Sequence, residues 1–129
     1  MLGINSYDHA YIDDARHQID ALLASYAPVA KDAAFEKQFF RHMVLALDHY
    51  FDHRLRGVEG KDGNPLNEVR MICNSMMHNN GVMMAEKTIK YDPAKSVLGL
   101  QIGQEIVLDT DSFTQLSEAF IGAIRERFT

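Results

Sequence analysis

The stretch Asn64-Pro65-Leu66-Asn67-Glu68-Val69-Arg70-Met71-Ile72-Cys73-Asn74-Ser75-Met76-Met77-His78-Asn79-Asn80-Gly81 decides how this chain is read. Asn64 before Pro65 is a helix start: an amide side chain able to cap the first free N–H groups, then a proline whose missing N–H costs nothing there. Gly81 is the first residue suited to stop the helix, although the pattern allows a further turn through Met83 and Met84. Between these limits Leu66, Val69, Cys73 and Met76 recur at helical spacing as an apolar stripe. Arg70, Asn74 and His78 stand four residues apart, so each is rotated by only about 40° from the last. A cation, an amide and an imidazole therefore share one flank of a short amphipathic helix.

Upstream, Ser6 or Asp8 caps a predicted first helix reaching about Ser25, with Ile12, Ala15, Ile19, Leu22 and Leu23 facing inward. Pro28 punctuates. A second helix is predicted from about Lys31 to Arg56. Its broad stripe of Phe35, Phe39, Met43, Leu47 and Tyr50, flanked by Phe40, Val44 and Phe51, marks it as the central, heavily buried element. Residues 57–64 read as a glycine-rich loop, which lacks the Lys-Ser/Thr pair and preceding strand of a phosphate loop. Downstream the period changes. Residues 88–91 alternate, and 97–100 and 105–108 read as short strands joined by a turn at 101–104. Asp109 or Thr110 then caps a closing helix with Phe113, Leu116, Phe120, Ile121, Ile124 and Phe128 on its inner face. The expected fold is mainly α: a bundle of about four helices with a small β-hairpin between the third and the last. Ile12/Ile19, Phe39/Met43/Leu47, Val69/Met76 and Leu116/Phe120 are expected to meet in one core.

The 129 residues, 47% of them apolar, suit a single domain spanning 1–129 with a sizeable core. No apolar run is long enough to cross a membrane, and the first residues lack the basic start and apolar centre of a signal peptide. A cytoplasmic protein with no membrane contact is the expectation. The lone Cys73 excludes an internal disulfide and suits a reducing compartment. A formal net charge of −5 makes the average surface repel nucleic acid, so an RNA contact needs a local basic site. Arg41, Arg54, Arg56, Lys61 and Arg70 are the nearest thing to one.

The stretch around Asn74 and His78 resembles the signature helix of HEPN domains, small helical proteins that often cleave or bind RNA. Their motif is an acidic residue, a few residues, Arg-Asn, three residues, then His, often with Asn and Gly following. Asn74, His78, Asn79, Asn80 and Gly81 match it, Glu68 sits at the acidic position, and Cys73 occupies the position of the catalytic arginine. The hairpin and closing helix predicted downstream continue the likeness. The resemblance implies a homodimer with the two motif helices side by side. It also implies an RNA-linked or defence/toxin-type role, with a cognate protein as a further partner, and no cofactor. It assigns catalysis to His78 and Asn74, and binding to Asn79, Asn80 and Glu68.

Metal-free RNA cleavage needs a base, an acid and a positive charge for the phosphorane. A histidine can fill either proton-transfer role and a guanidinium the third. Cys73 offers a weak donor and no charge. Arg70 lies on the His78 flank, about 12 Å along the axis. This leaves two readings: a module with impaired catalysis that acts by binding, or an active ribonuclease in which Arg70 compensates. A third, from another class, rests on the central helix. There His49 and His53 form an i, i+4 pair able to share a transition metal, with His42 on the same face and Asp48 and Asp52 alongside, although a solvated or interface face is the expected use. The methionines of the motif region, Met71, Met77 and Met83, are expected to join the His42/His49 face in a two-fold interface. Cys73 is expected to be an inert buried thiol.

Overall fold

The computed structural model describes residues 3–29 and 32–129. Among them run α1 (His9–Tyr26), α2 (Ala33–Tyr50), the single turn α3 (Arg56–Glu59), α4 (Pro65–His78) and α5 (Thr110–Arg127). The four long helices pack as a bundle: α4 and α2 lie against each other and both against α5, while α1 covers α2 and α5. The Lys31 end of the predicted second helix lies outside the described residues.

Local sequence sets most helix ends. Asn64 Oδ1 accepts from the amides of Leu66 (2.8 Å) and Asn67 (3.2 Å) with Pro65 at the first position, as the sequence predicts. Asp109 caps α5 in a reciprocal box with Ser112, two otherwise unpaired amides being satisfied at once. The core is one contiguous cluster. Ile12, Ile19, Met43, Leu47, Val69, Leu116 and Phe120 are buried in it, with Phe39 and Met76 packed against it. Every predicted inner-face residue of α5 is buried. Two predicted inner residues are exposed, Leu22 at 41% and Phe35 at 43%, and Leu23, Phe39 and Tyr50 are half-buried.

The second helix stops at Tyr50 rather than Arg56, because the chain beyond Tyr50 is used elsewhere. His53 takes a left-handed conformation (φ 62°). The next residues then run parallel to the N-terminal segment, with Ile4 N donating to His53 O (2.7 Å) and Leu55 N to Ile4 O (2.7 Å). Part of the predicted glycine loop is the turn α3, and it carries Glu59 into the core.

The predicted β-hairpin does not form. The amides of Val97 and Leu98 donate to the two carboxylate oxygens of Glu68, at 2.8 and 3.0 Å, and Gly99 N donates to Ser96 Oγ at 2.8 Å. Three successive donors of the supposed first strand are thus satisfied without a partner strand. The turn at 101–104 is present, with Gln104 N donating to Gln101 O (3.1 Å). Its far arm meets the chain after α4 instead: Met83 N donates to Gln104 O (2.8 Å), Gly103 N to Met83 O (2.8 Å) and Ile106 N to Gly81 O (2.9 Å). The only antiparallel contact among the described residues is the bridge Val82↔Glu105. No helix among the described residues is long and apolar enough to cross a membrane.

Candidate functional site

After Pro65, only Arg70, Asn74, Met76, Met77 and His78 of α4 escape burial. The flank drawn from the sequence is therefore the open strip of this helix. Its neighbours are buried, including the polar Asn67, Glu68 and Ser75. Ser75 Oγ bonds back to Met71 O (2.7 Å) and accepts from Met84 N (2.9 Å), fastening the chain that leaves the helix.

Arg70 occupies the base of the strip and is committed. Its Nε donates to Glu59 Oε2 (3.0 Å) and its Nη2 to Glu59 Oε1 (2.7 Å), a bidentate fork. Glu59 is fully buried and also accepts from Arg54 Nε (2.7 Å) and Asn67 Nδ2 (2.8 Å). Arg54 is equally occupied: Nη1 reaches Asp48 Oδ1 at 2.8 Å, and the guanidinium lies 5.2 Å over the Phe120 ring. Burial alone would push the Glu59 carboxyl up. The hydrogen bonds from Arg70 and Asn67 and the charges of Arg54 and Arg70 outweigh it and hold the group below the usual range. Of the basic cluster expected at the surface, Arg54 and Arg70 face this carboxylate.

Cys73 is buried between α2 and α4, its Sγ directed at Val44 O (3.8 Å). Burial pushes its thiol well up, so it is no thiolate nucleophile. Asn74 Nδ2 donates to Glu86 Oε2 (3.2 Å). Both residues line a groove of about 490 Å3 between α2 and α4, walled by Leu45, Ala46 and Met77 and edged by Asp48, His49 and Asp52. Among the described residues no lysine or arginine lines it. His78 is the last residue of α4 and exposed; Asn79 and Asn80 come next, exposed too, Asn79 Nδ2 donating to Val82 O at 2.7 Å. Asn80 (φ 54°) and Gly81 (φ 77°) turn the chain. Glu68, assigned to binding by the resemblance, is buried and holds the 97–98 amides; burial pushes its carboxyl up against those two hydrogen bonds.

One cation stands at a place the sequence does not indicate. Arg41 of α2 donates from Nε to Ile106 O (3.1 Å), and its guanidinium lies over Gly81, so close that a Cβ there would sit 2.5 Å from Cζ. The one signal in the sequence is a glycine just past the motif histidine, and nothing there pairs it with residue 41.

The histidines of α2 separate. His42 Nδ1 contacts Gln38 O (2.8 Å) within its own helix. His53 lies beyond the helix end, so the i, i+4 geometry expected for it and His49 does not apply. Both instead face Asp52 Oδ2, at 3.8 Å from His49 Nδ1 and 3.6 Å from His53 Nε2. Among the described residues no group of three or more His, Cys, Asp or Glu side chains is placed to hold a metal ion. Met71 and Met83 are core residues, each 1% exposed, so of the three methionines only Met77, 64% exposed, can serve an interface. No family model matches this chain, and no curated protein or solved structure does. The HEPN resemblance therefore rests on the residues from Glu68 to Gly81.

Proposed function

We propose that this protein is a HEPN-like module with impaired catalysis that acts by binding, in an RNA-linked or defence/toxin-type setting, as a dimer through the α2–α4 face. One observation carries the reading. Arg70 is held by Glu59 and Cys73 is a buried thiol, so α4 offers no cation for a phosphorane beside His78. Losing such a charge costs roughly two to three orders of magnitude in rate. The groove supports a protein occupant: Leu45, Ala46 and Met77 are apolar, and Asp52 at its edge repels phosphate. Any RNA contact belongs to the turn that ends α4, at His78, Asn79 and Asn80.

The test is incubation of the purified chain with RNA in EDTA. The expected result is little cleavage, unchanged by His78→Ala. Cys73→Arg is expected to restore little, because position 73 is buried with its side chain directed at Val44 O of α2. Strong EDTA-resistant cleavage by wild type, abolished by His78→Ala, overturns the proposal. One contact favours that second reading, an active metal-independent ribonuclease: Arg41 lies over Gly81, three residues past His78, and could supply the charge in place of Arg70. Under it, Arg41→Gln abolishes cleavage.

A further inference from the structure

Between the lead-in to α1 and the turn that ends α2 lies a depression of about 530 Å3, distinct in its chemistry from the α4 strip. Its walls are aromatic and fixed. Tyr7 and Tyr11 stack 5.6 Å apart at 19°, and both rings stand at 85° to that of Phe51. Their hydroxyls are tied down as well, Tyr7 donating to Asp52 O (3.3 Å) and Tyr11 to Tyr50 O. Tyr11 is still 45% exposed, so its ring has area to offer a ligand.

The same depression holds two carboxylates that no lysine or arginine pairs among the described residues. Asp8 is the N-cap residue of α1, yet its side chain makes no capping hydrogen bond. Asp52 Oδ1 accepts from His53 N (3.0 Å), while Oδ2 has the two imidazoles only at 3.6 and 3.8 Å, beyond hydrogen-bond length. Among the described residues no lysine or arginine lines the depression. The nearby Arg54 is spent on Asp48 and Glu59.

Fixed π faces attract cations, and a carboxylate accepts the paired N–H donors of a planar one. We infer that this pocket binds a guanidinium group, stacked on Tyr11 and forked onto Asp52, with Asp8 adding charge at the rim. An alkylammonium lacks the plane and the fork, and an anion is repelled by both aspartates. The group can arrive on a free small molecule or on an arginine side chain of a partner protein. His49 and Asp52 also edge the α2–α4 groove, so a partner seated there has the pocket within reach. The inference does not depend on the RNA chemistry of α4.

The test is titration of the full chain with N-acetyl-arginine-N-methylamide, followed by amide chemical shifts, against the neutral citrulline counterpart. Saturable shifts confined to residues around Tyr7, Tyr11, Tyr50 and Asp52 are expected, with citrulline binding at least about tenfold more weakly. Asp52→Asn keeps the shape and the acceptor for His53 N and should weaken arginine binding by about tenfold. Asp20→Asn, on the exposed surface of α1 outside the pocket, should leave it unchanged. Tyr11→Leu should weaken binding while Tyr11→Phe preserves it. Equal binding of citrulline, no saturable shift, or an Asp52→Asn protein that binds like wild type overturns the inference. An alanine peptide with one central arginine separates the sources: tighter binding than the capped amino acid assigns the pocket to a partner's side chain, and equal or weaker binding assigns it to a free small molecule.

Discussion

Glu59 is one carboxylate serving two guanidinium groups and an amide, with no access to water. Removing its charge leaves Arg70 half-buried without its counter-ion and Arg54 with Asp48 alone, a change that typically costs ~3–5 kcal/mol. Glu59→Gln is therefore expected to lose that much in urea unfolding, while Glu118→Gln at the surface should be near neutral. The pH dependence has a definite sign. The folded carboxyl titrates below its unfolded value, so its stabilisation is present above the ordinary glutamate range and is lost as pH falls through the depressed folded value. The acid limb of the wild-type stability curve should accordingly be steeper than that of Glu59→Gln. Arg70 shows the functional side of the same arrangement. A guanidinium on the right flank of a helix is drawn away from a substrate when a buried carboxylate already holds its Nε–Nη2 edge.

At the scale of elements, the 96–109 segment is shaped by a side chain from α4 rather than by its own alternation. Glu68→Gln keeps one acceptor oxygen but turns an NH2 toward the other amide, leaving a donor without a partner; the expected cost is about 1–3 kcal/mol. Hydrogen exchange checks it locally, since the Val97 and Leu98 amides should lose protection while the α5 amides keep theirs. The end of α4 offers a second test. Gly81 sits at φ 77°, where a side chain is strained, and an added Cβ would also press on the Arg41 guanidinium. Gly81→Ala should cost about 1–3 kcal/mol and weaken the Gly81–Ile106 pairing, visible as faster exchange at the Ile106 amide. The closeness of Arg41 to this turn also means that Arg41→Gln must be judged for folding before any RNA assay is read.

At the scale of the whole molecule, the α2–α4 face decides whether the composite site implied by the resemblance can exist. Met77 is 64% exposed at the wall of the groove, next to half-buried Leu45 and Ala46. Its burial against a second copy would remove apolar surface from water at both subunits under two-fold symmetry. Met77→Glu should therefore convert a dimer to a monomer in light scattering without lowering the melting temperature extrapolated to low concentration. A wild-type protein that is monomeric at micromolar concentration removes the dimer from the proposal.

What the sequence determined by itself is whatever depends on neighbours in the chain. Asn64-Pro65 and Asp109…Ser112 carry their own hydrogen-bond partners within three residues, and the helical spacing of Ile12, Ala15 and Ile19 or of Phe113, Leu116 and Phe120 marks an inner face before any fold is known. The open strip of Arg70, Asn74 and His78 was legible for the same reason, as geometry within one helix. The tertiary structure alone decided which long-range partner each polar group met. Glu59 sits in a glycine-rich stretch that reads as loop, and only the packing of α3 on α4 sets it between two arginines. Glu68 lies 29 residues from the amide it captures at Val97, so no local pattern could show that the predicted strand would spend its donors on a carboxylate. Arg41 and Gly81 likewise meet, and Tyr11 and Asp52 come to line one depression, only through the bundle. Caps and stripes are short-range and repeat with the helix; a buried charge takes its partner from wherever the fold delivers one, because it cannot be left in the core without one.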